Sequence, residues 1–324
     1  MSNKSNNQGR AYEYAWIEIL YETLKNIRPT KIIKNSSFDA NKNCFKILSD
    51  EQKNIYDISA KAALETIFEI EPRICEISND ELTLEFLKDE FGIKGDVRDI
   101  VIGCKNLNWE IGLSIKHNHD AVKHSRLSHK IDFGKEWFER PCSNEYWQAV
   151  NPIFDSLKKL KIEGAQWSDI INKNETVYIP LLQAFIDEIT NAYKIDKNIP
   201  RKIIEYLIGV KDYYKIISHD SERLTVIQSF NLHGTLNQPS KKAVSIITIP
   251  KVQLPNELVA LKFKSGSKNT VEMYLNNGWQ LSFRIHNASS KIEPSLKFDI
   301  KFIGMPPDVI NLKCFWNNIS KCQH

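Results

Sequence analysis

Apolar and polar positions alternate with different periods along the chain. Tyr12, Trp16, Ile19, Leu20, Thr23 and Leu24 recur at helical spacing and predict a first helix that Pro29 stops. The polar run before it, residues 1–8, is expected to be disordered. Residues 50–70 carry Ile55, Ile58, Ala62, Leu64 and Ile67 on one stripe and predict a long amphipathic helix ended by Pro72. Between them, residues 31–50 are mixed and predict loop, or a strand around 44–48. A short strand is expected at 82–84 and one or two helical turns over 85–91. Helices are expected over 133–147, 150–160, 180–193 and 200–210, so that 136–225 is mainly helical. From 224 onward the pattern shortens. Runs at 224–232, 243–249, 258–263, 270–276, 279–285 and 296–303 alternate or stay apolar between turn signals and predict strands, with Asn276-Asn277-Gly278 as a hairpin turn.

Residues 95–128 read differently from their surroundings. An apolar run headed by acids, 98–103, is joined by a turn-rich connection to a second apolar run, 109–116, which ends in a basic, amide-rich segment. This predicts two strands and the start of a helix. Side chains alternate faces along a strand, so Glu110, Gly112, Ser114 and Lys116 share one face. A loop closing symmetrically near Asn106-Leu107 sets Asp99 across from Ser114, with Lys116 its diagonal neighbour. Opposed residues lie about 5 Å apart and diagonal ones about 7–8 Å. Glu110 is about 20 Å from Lys116 along the strand and cannot join them.

A carboxylate and an ammonium meeting at one hairpin end suit metal-dependent phosphodiester cleavage. The carboxylate holds Mg²⁺, which polarises the phosphate and lowers the pKa of a bound water. The ammonium orients that water or stabilises charge on the phosphate. Asp96 competes with Asp99 for the metal. Asp99 abuts the apolar run and has the right parity opposite Ser114, which favours it; Asp96 then braces the turn or meets a second metal.

The arrangement resembles the PD-(D/E)XK nuclease core, with Ser114-Ile115-Lys116 in place of (D/E)-X-K. The longer text GDVRDIVI…EIGLSIKHNHDAVKHSRLS closely resembles the HaeIII type II restriction endonucleases, as does the segment from Gly278 to Ala288. The opening Gly9-Arg10-Ala11-Tyr12-Glu13 is similar to a motif by which many PD-(D/E)XK nucleases point a glutamate at the metal from their first helix. Because Ser114 stands where the second acid is usual, Glu13 is the first candidate for the missing ligand. Read from its position alone, Glu13 is a carboxylate favoured by the helix dipole in a first turn. The resemblance implies an α/β (α+β mixed) fold, with a PD-(D/E)XK-like sheet flanked by helices, a helical middle and a β-rich end. It also implies Mg²⁺-dependent double-strand cleavage of DNA within GGCC, leaving blunt ends, and a cognate methyltransferase as functional partner. A structure-specific repair or junction nuclease, or a non-catalytic DNA-binding protein of the same fold, is the alternative.

Beside such a centre, Asn118, His119, Lys123, His124 and Arg126 are candidates for DNA contact, the last three on an expected helix. Arg284, His286 and Asn287, closing a later strand, are candidates too. Arginine can take guanine O6 and N7 together, and amides and cations meet phosphates. His117-Asn118-His119 does not match the HNH nucleases, whose residues are dispersed over a ββα module.

Composition narrows the picture less. Charged residues make up 26%, and 44 basic against 40 acidic side chains give a net charge of +4, which excludes a histone-like polycation but allows local basic patches. No apolar run is long enough for a membrane span, and the start of the chain lacks a signal-peptide core. The six cysteines have no CxxC spacing, so zinc is not expected and scattered thiols suit a cytoplasmic protein. Three consecutive regions are expected: 1–135 catalytic, 136–224 helical, and 225–324 β-rich and contributing to recognition.

Overall fold

The computed structural model describes residues 2–87 and 95–316. In chain order its elements are α1 (Ser2–Leu24), β1 (Thr30–Ile33), α2 (Ser36–Lys46), α3 (Asp50–Ile70), β2 (Leu82–Phe86), β3 (Ile100–Cys104), β4 (Trp109–His117) and β5 (Lys123–Ser128). There follow α4 (Phe133–Phe138), α5 (Asn144–Ile162), α6 (Ile179–Ile195), α7 (Ile199–Ile208), β6 (Tyr213–His219), β7 (Leu224–Phe230), β8 (Leu258–Phe263), β9 (Thr270–Leu275), β10 (Gln280–His286), β11 (Ser295–Gly304) and β12 (Asn311–Phe315). No helix among the described residues is long and apolar enough to cross a membrane.

The chain folds as two compact units, each assembled from separated segments. The first takes Met1–Asp120, Val210–Val252 and Asp308–His324; the second takes Ala121–Gly209 and Gln253–Pro307. These units cut across the three consecutive regions expected from the sequence.

The first unit is a mixed sheet in the order β1-β2-β3-β4-β6-β7-β12. One face carries Ile100, Ile102, Ile111, Leu113, Ile115, Tyr214, Ile216 and Ile227, and these join Trp16, Leu20 and Tyr12 of α1 and Ala60, Ala63 and Ile67 of α3 in one core. Each fully buried aliphatic side chain contributes about 1.5–3 kcal/mol. Ser49 caps α3 by accepting from the Gln52 amide, and Asn35 caps α2 by accepting from Phe38. That cap turns residues 36–46 into a helix where loop or a strand near Cys44 was expected. Helix α1 also starts earlier than its apolar stripe. The tail expected to be disordered is helical from Ser2, and the Gln8 carbonyl accepts from the buried Tyr56 hydroxyl at 3.4 Å. Glu13 therefore lies well inside α1, away from its first turn.

Strand β6 falls in a stretch expected to be helical. It pairs parallel with β4, Ser114 opposite Lys215, and antiparallel with β7. The strand expected at 243–249 is absent. Asn237 Oδ1 accepts from the Ile249 amide and Asn231 Nδ2 donates to the Ile249 carbonyl, so side chains take the bonds a ladder would have used. Of the helix expected over 85–91, Glu85 and Phe86 end β2, and residues 88–94 lie outside the described residues.

The second unit is an antiparallel sheet in the order β5-β11-β10-β9-β8. Its apolar face meets helical aromatics: Phe185 lies 5.5 Å from Phe283 and 5.1 Å from Phe298, ring centre to ring centre. Asn277 and Gly278 both take positive φ in the turn joining β9 and β10. Residues 123–128, expected on a helix, form β5. Ser125 and Leu127 are buried while Arg126 between them is exposed, a period of two dictated by pairing with β11.

Candidate functional site

The hairpin of β3 and β4 closes over Lys105–Asn108, with Cys104 opposite Trp109 and Ile100 opposite Leu113. The Asp99 amide donates to the Leu113 carbonyl at 2.8 Å, which sets the Asp99 side chain beside Ser114 and Lys116. Asp99 Oδ2 accepts from Ser114 Oγ at 3.2 Å, from the Ile115 amide at 2.6 Å and from Lys116 Nζ at 2.9 Å. Three donors fix one carboxylate oxygen, and among the described residues none donates to Oδ1. Asp96 is placed differently. Both its oxygens bind the Arg98 guanidinium, at 2.8 and 2.7 Å, and Arg98 also reaches Glu110 at 2.8 Å. Gly112 makes room for that arginine: a Cβ there would lie 2.0 Å from Arg98 Cδ.

Glu13 reaches the same place from α1. Desolvation and then the Asp99 charge push its carboxyl well above the usual carboxylate range, against the pull of Lys116, a 2.8 Å hydrogen bond from Asn41 Nδ2, and Arg10. Burial alone would lower the Lys116 ammonium, but the carboxylates of Asp99 and Glu13 outweigh it and hold that pKa above its ordinary value. Two mutually repelling carboxylates beside one lysine form a hard, oxygen-only donor set. Mg²⁺ takes one or two carboxylates from a protein and the rest of its shell from water and substrate phosphate, so Asp99 and Glu13 could hold it. Among the described residues no group of three or more His, Cys, Asp or Glu is arranged to hold a metal ion.

Glu13 and Lys116 line a cleft of about 690 Å³ together with Arg10, Tyr56, His117, Asn118, His119 and Asp220. Asp220, in the turn between β6 and β7, is a residue the sequence does not point to. Its carboxylate meets His117 Nε2 at 2.9 Å and accepts from Asn118 Nδ2 at 3.0 Å, while its amide donates to Asn118 Oδ1 at 2.9 Å. Asn118 holds φ at 51°, a left-handed conformation asparagine tolerates. Its amide thus clamps the end of β4 to the β6–β7 turn. Lys215 was missed as well. Burial, then the Lys116 charge, pushes its ammonium down to about 8 against the pull of Asp120 and Asp99. Neither residue has a local motif, because each is brought to β4 by pairing across about a hundred intervening positions.

The other candidates lie in the second unit. Lys123 Nζ donates to the Tyr206 carbonyl at 2.9 Å and sits 3.6 Å from the centre of the Tyr206 ring; burial lowers it to about 8. Asn287 Oδ1 accepts from the Tyr178 hydroxyl at 3.3 Å. Arg126 and Arg284 are exposed, and His286 follows Arg284 by two positions on β10. His124 belongs to β5, in register with Asp299.

A model of the HaeIII restriction endonuclease family matches residues 9–306. The type II restriction enzyme HaeIII of Haemophilus aegyptius is 51% identical over 317 residues, covering 98% of this chain and 99% of that protein. No solved structure matches the chain significantly.

Proposed function

The chain belongs to the HaeIII restriction endonuclease family and is a site-specific deoxyribonuclease, and from that premise we propose that Asp99, Lys116 and Glu13 form its catalytic centre. The substrate in this reading is double-stranded DNA cut within GGCC to blunt ends. The protein acts in the cytoplasm, where a methyltransferase modifying the same sequence protects the host. The observation that carries the assignment is the 2.9 Å contact of Lys116 Nζ with Asp99 at the hairpin end, with Glu13 lining the same cleft as Lys116.

Enzymes of this family are nucleases that use a divalent metal, and in this reading it is Mg²⁺ on Asp99 and Glu13. When bound, the ion polarises the scissile phosphate and acidifies a coordinated water. The protein's own groups do the rest. Asp99 is held in one orientation by Ser114, the Ile115 amide and Lys116, so its carboxylate needs no reorganisation. Lys116, kept charged by both carboxylates, orients the attacking water and offsets negative charge as the phosphorus becomes five-coordinate. Ser114 cannot ligate as a carboxylate would, and Glu13 takes that part from the helix. Asn118 and Asp220 position Lys116 by fixing the end of its strand.

The test is digestion of a plasmid of known sequence with Mg²⁺, followed by sequencing of the fragment ends. Discrete fragments with blunt ends inside GGCC are expected. Discrete ends at another sequence would overturn the target, and cutting governed by DNA structure would overturn the recognition reading.

A further inference from the structure

The second unit offers a surface matched to the proposed target. Over four of its strands the sheet buries apolar side chains on one face: Leu127 of β5, Leu296, Phe298 and Ile300 of β11, Leu281, Phe283 and Ile285 of β10, and Val271 and Met273 of β9 all have no exposure. Strand alternation sends the residues between them to the opposite face. The register opposes Arg284 to Asp299, and aligns His286, Lys297 and Arg126 as the next row. Lys301, opposite Ser282, continues the face and is exposed. Cations outnumber carboxylates there, as a phosphate-lined duplex requires. Three neighbouring strands span about 10 Å, and the major groove is about 12 Å wide.

Arg284 and Asp299 stand out within that face. Arg284 Nη2 lies 3.6 Å from Asp299 Oδ2, beyond hydrogen-bonding distance, and the arginine side chain is 54% exposed against 18% for the aspartate. Among the described residues the guanidinium makes no hydrogen bond, so its fork of donors can reach outward. Among the described side chains no hydrogen bond reaches the Asp299 carboxylate, which leaves it able to accept. A G·C pair presents the complement in the major groove, with guanine O6 and N7 accepting and cytosine N4 donating.

We propose that Arg284 and Asp299 together read one G·C pair, the guanidinium donating to guanine O6 and N7 and the carboxylate accepting from cytosine N4. The His286–Lys297–Arg126 row meets the adjoining phosphates. This rests on the reading of the protein as a GGCC-cutting enzyme, and makes Asp299 a specificity determinant alongside Arg284.

The test measures kcat/KM of the wild type, Arg284→Lys, Arg284→Ala and Asp299→Asn on short duplexes. The set contains GGCC, each single-pair substitution, and GGCC carrying 7-deazaguanine or N4-methylcytosine at each position. The pair reading predicts that Arg284→Ala loses roughly five- to 150-fold on GGCC and little on duplexes substituted at one position and its symmetry mate. Asp299→Asn relaxes that same position. Wild type suffers from 7-deazaguanine there, and Arg284→Ala becomes indifferent to it. Arg284→Lys, which keeps the charge but not the fork, resembles the alanine variant. Uniform loss on every duplex with a shallower salt dependence assigns the residues to phosphate contact and overturns the inference. So does unchanged discrimination, or relaxation by the two residues at different positions. The ends cut by the wild type read the target independently. Ends outside GGCC overturn the functional reading, whereas GGCC ends with unaltered variant discrimination overturn only this inference.

Discussion

Two cross-strand pairs of opposite charge occupy the two units, and the proposed readings give them opposite purposes. At the end of the β3–β4 hairpin, Lys116 and Asp99 touch at 2.9 Å and a serine and a backbone amide hold the same carboxylate oxygen. On β10 and β11, Arg284 and Asp299 stand 3.6 Å apart with half of the arginine in solvent. The first pair is preorganised: its geometry is fixed before any substrate arrives, as stabilising a developing charge requires. Among the described residues the second makes no hydrogen bond, as the proposed reading of an outside partner requires. A third set, Arg98 with Asp96 and Glu110, shows what a charge cluster does when it is closed on itself. Arg98 is 6% exposed in its side chain and its guanidinium is shared by two carboxylates, so it braces the hairpin.

The largest expected effect falls on the preorganised pair. Lys116→Ala should lower single-turnover cleavage at least a thousandfold, about 4 kcal/mol, while binding to a GGCC duplex changes little. Rapid-quench cleavage with parallel binding measurements checks this, and a loss confined to binding would put Lys116 in the recognition class instead.

The closed cluster should show the converse. Arg98→Ala leaves Asp96 without its partner and should destabilise the protein by about 3 kcal/mol in urea unfolding. A stable but inactive variant would mean that Asp96 and Arg98 belong to the chemistry.

Glu71 separates desolvation from metal chemistry. It is fully buried, its Oε1 accepts from Tyr214 and Asn237, and its nearest described cation, Arg73, is 4.0 Å away. Burial pushes it up from 4.5 to about 7. The folded state keeps this proton at pH values where the unfolded chain has released it. Stability from this group is therefore full below about 4.5 and is lost as pH rises to about 7, by on the order of 3 kcal/mol. Urea unfolding of Glu71→Gln and wild type at pH 5 and pH 8 should show the variant gaining on the wild type at the higher pH. A constant difference would show that Glu71 does not titrate in that window.

The smallest effect is expected on the open face. Arg126→Ala should weaken binding to all duplexes alike, by a few-fold, and lower the salt slope by about one. Weakening confined to GGCC would move Arg126 from phosphate contact to base reading.

The difference between the units also decides how much was legible in the sequence. The Asp99–Lys116 pair could be placed because everything that sets it is local: two runs of period two joined by a short symmetric turn. The later hairpin was legible for the same reason, through Asn277-Gly278. Strand β5 was not. Lys-His-Ser-Arg-Leu-Ser has few apolar letters, and its alternation is imposed by β11, some 170 positions away. Strand β6 was lost because Tyr213–His219 is nearly all buried, an apolar run that periodicity cannot distinguish from helix directly after α7. The clamp of Asp220 on Asn118 and His117 depends on that missed strand. Glu13 could be singled out only through the resemblance, since nothing in the local pattern of α1 shows that Asp99 and Lys116 lie near it.

In the proposed reading Asp99 anchors a catalytic centre distinct from the reading surface. Single-turnover cleavage of a GGCC duplex by Asp99→Ala, with Mg²⁺ present and binding measured on the same samples, tests it most directly. A folded protein that binds the duplex and leaves it uncut is expected. Cleavage by that variant at the wild-type rate would contradict it.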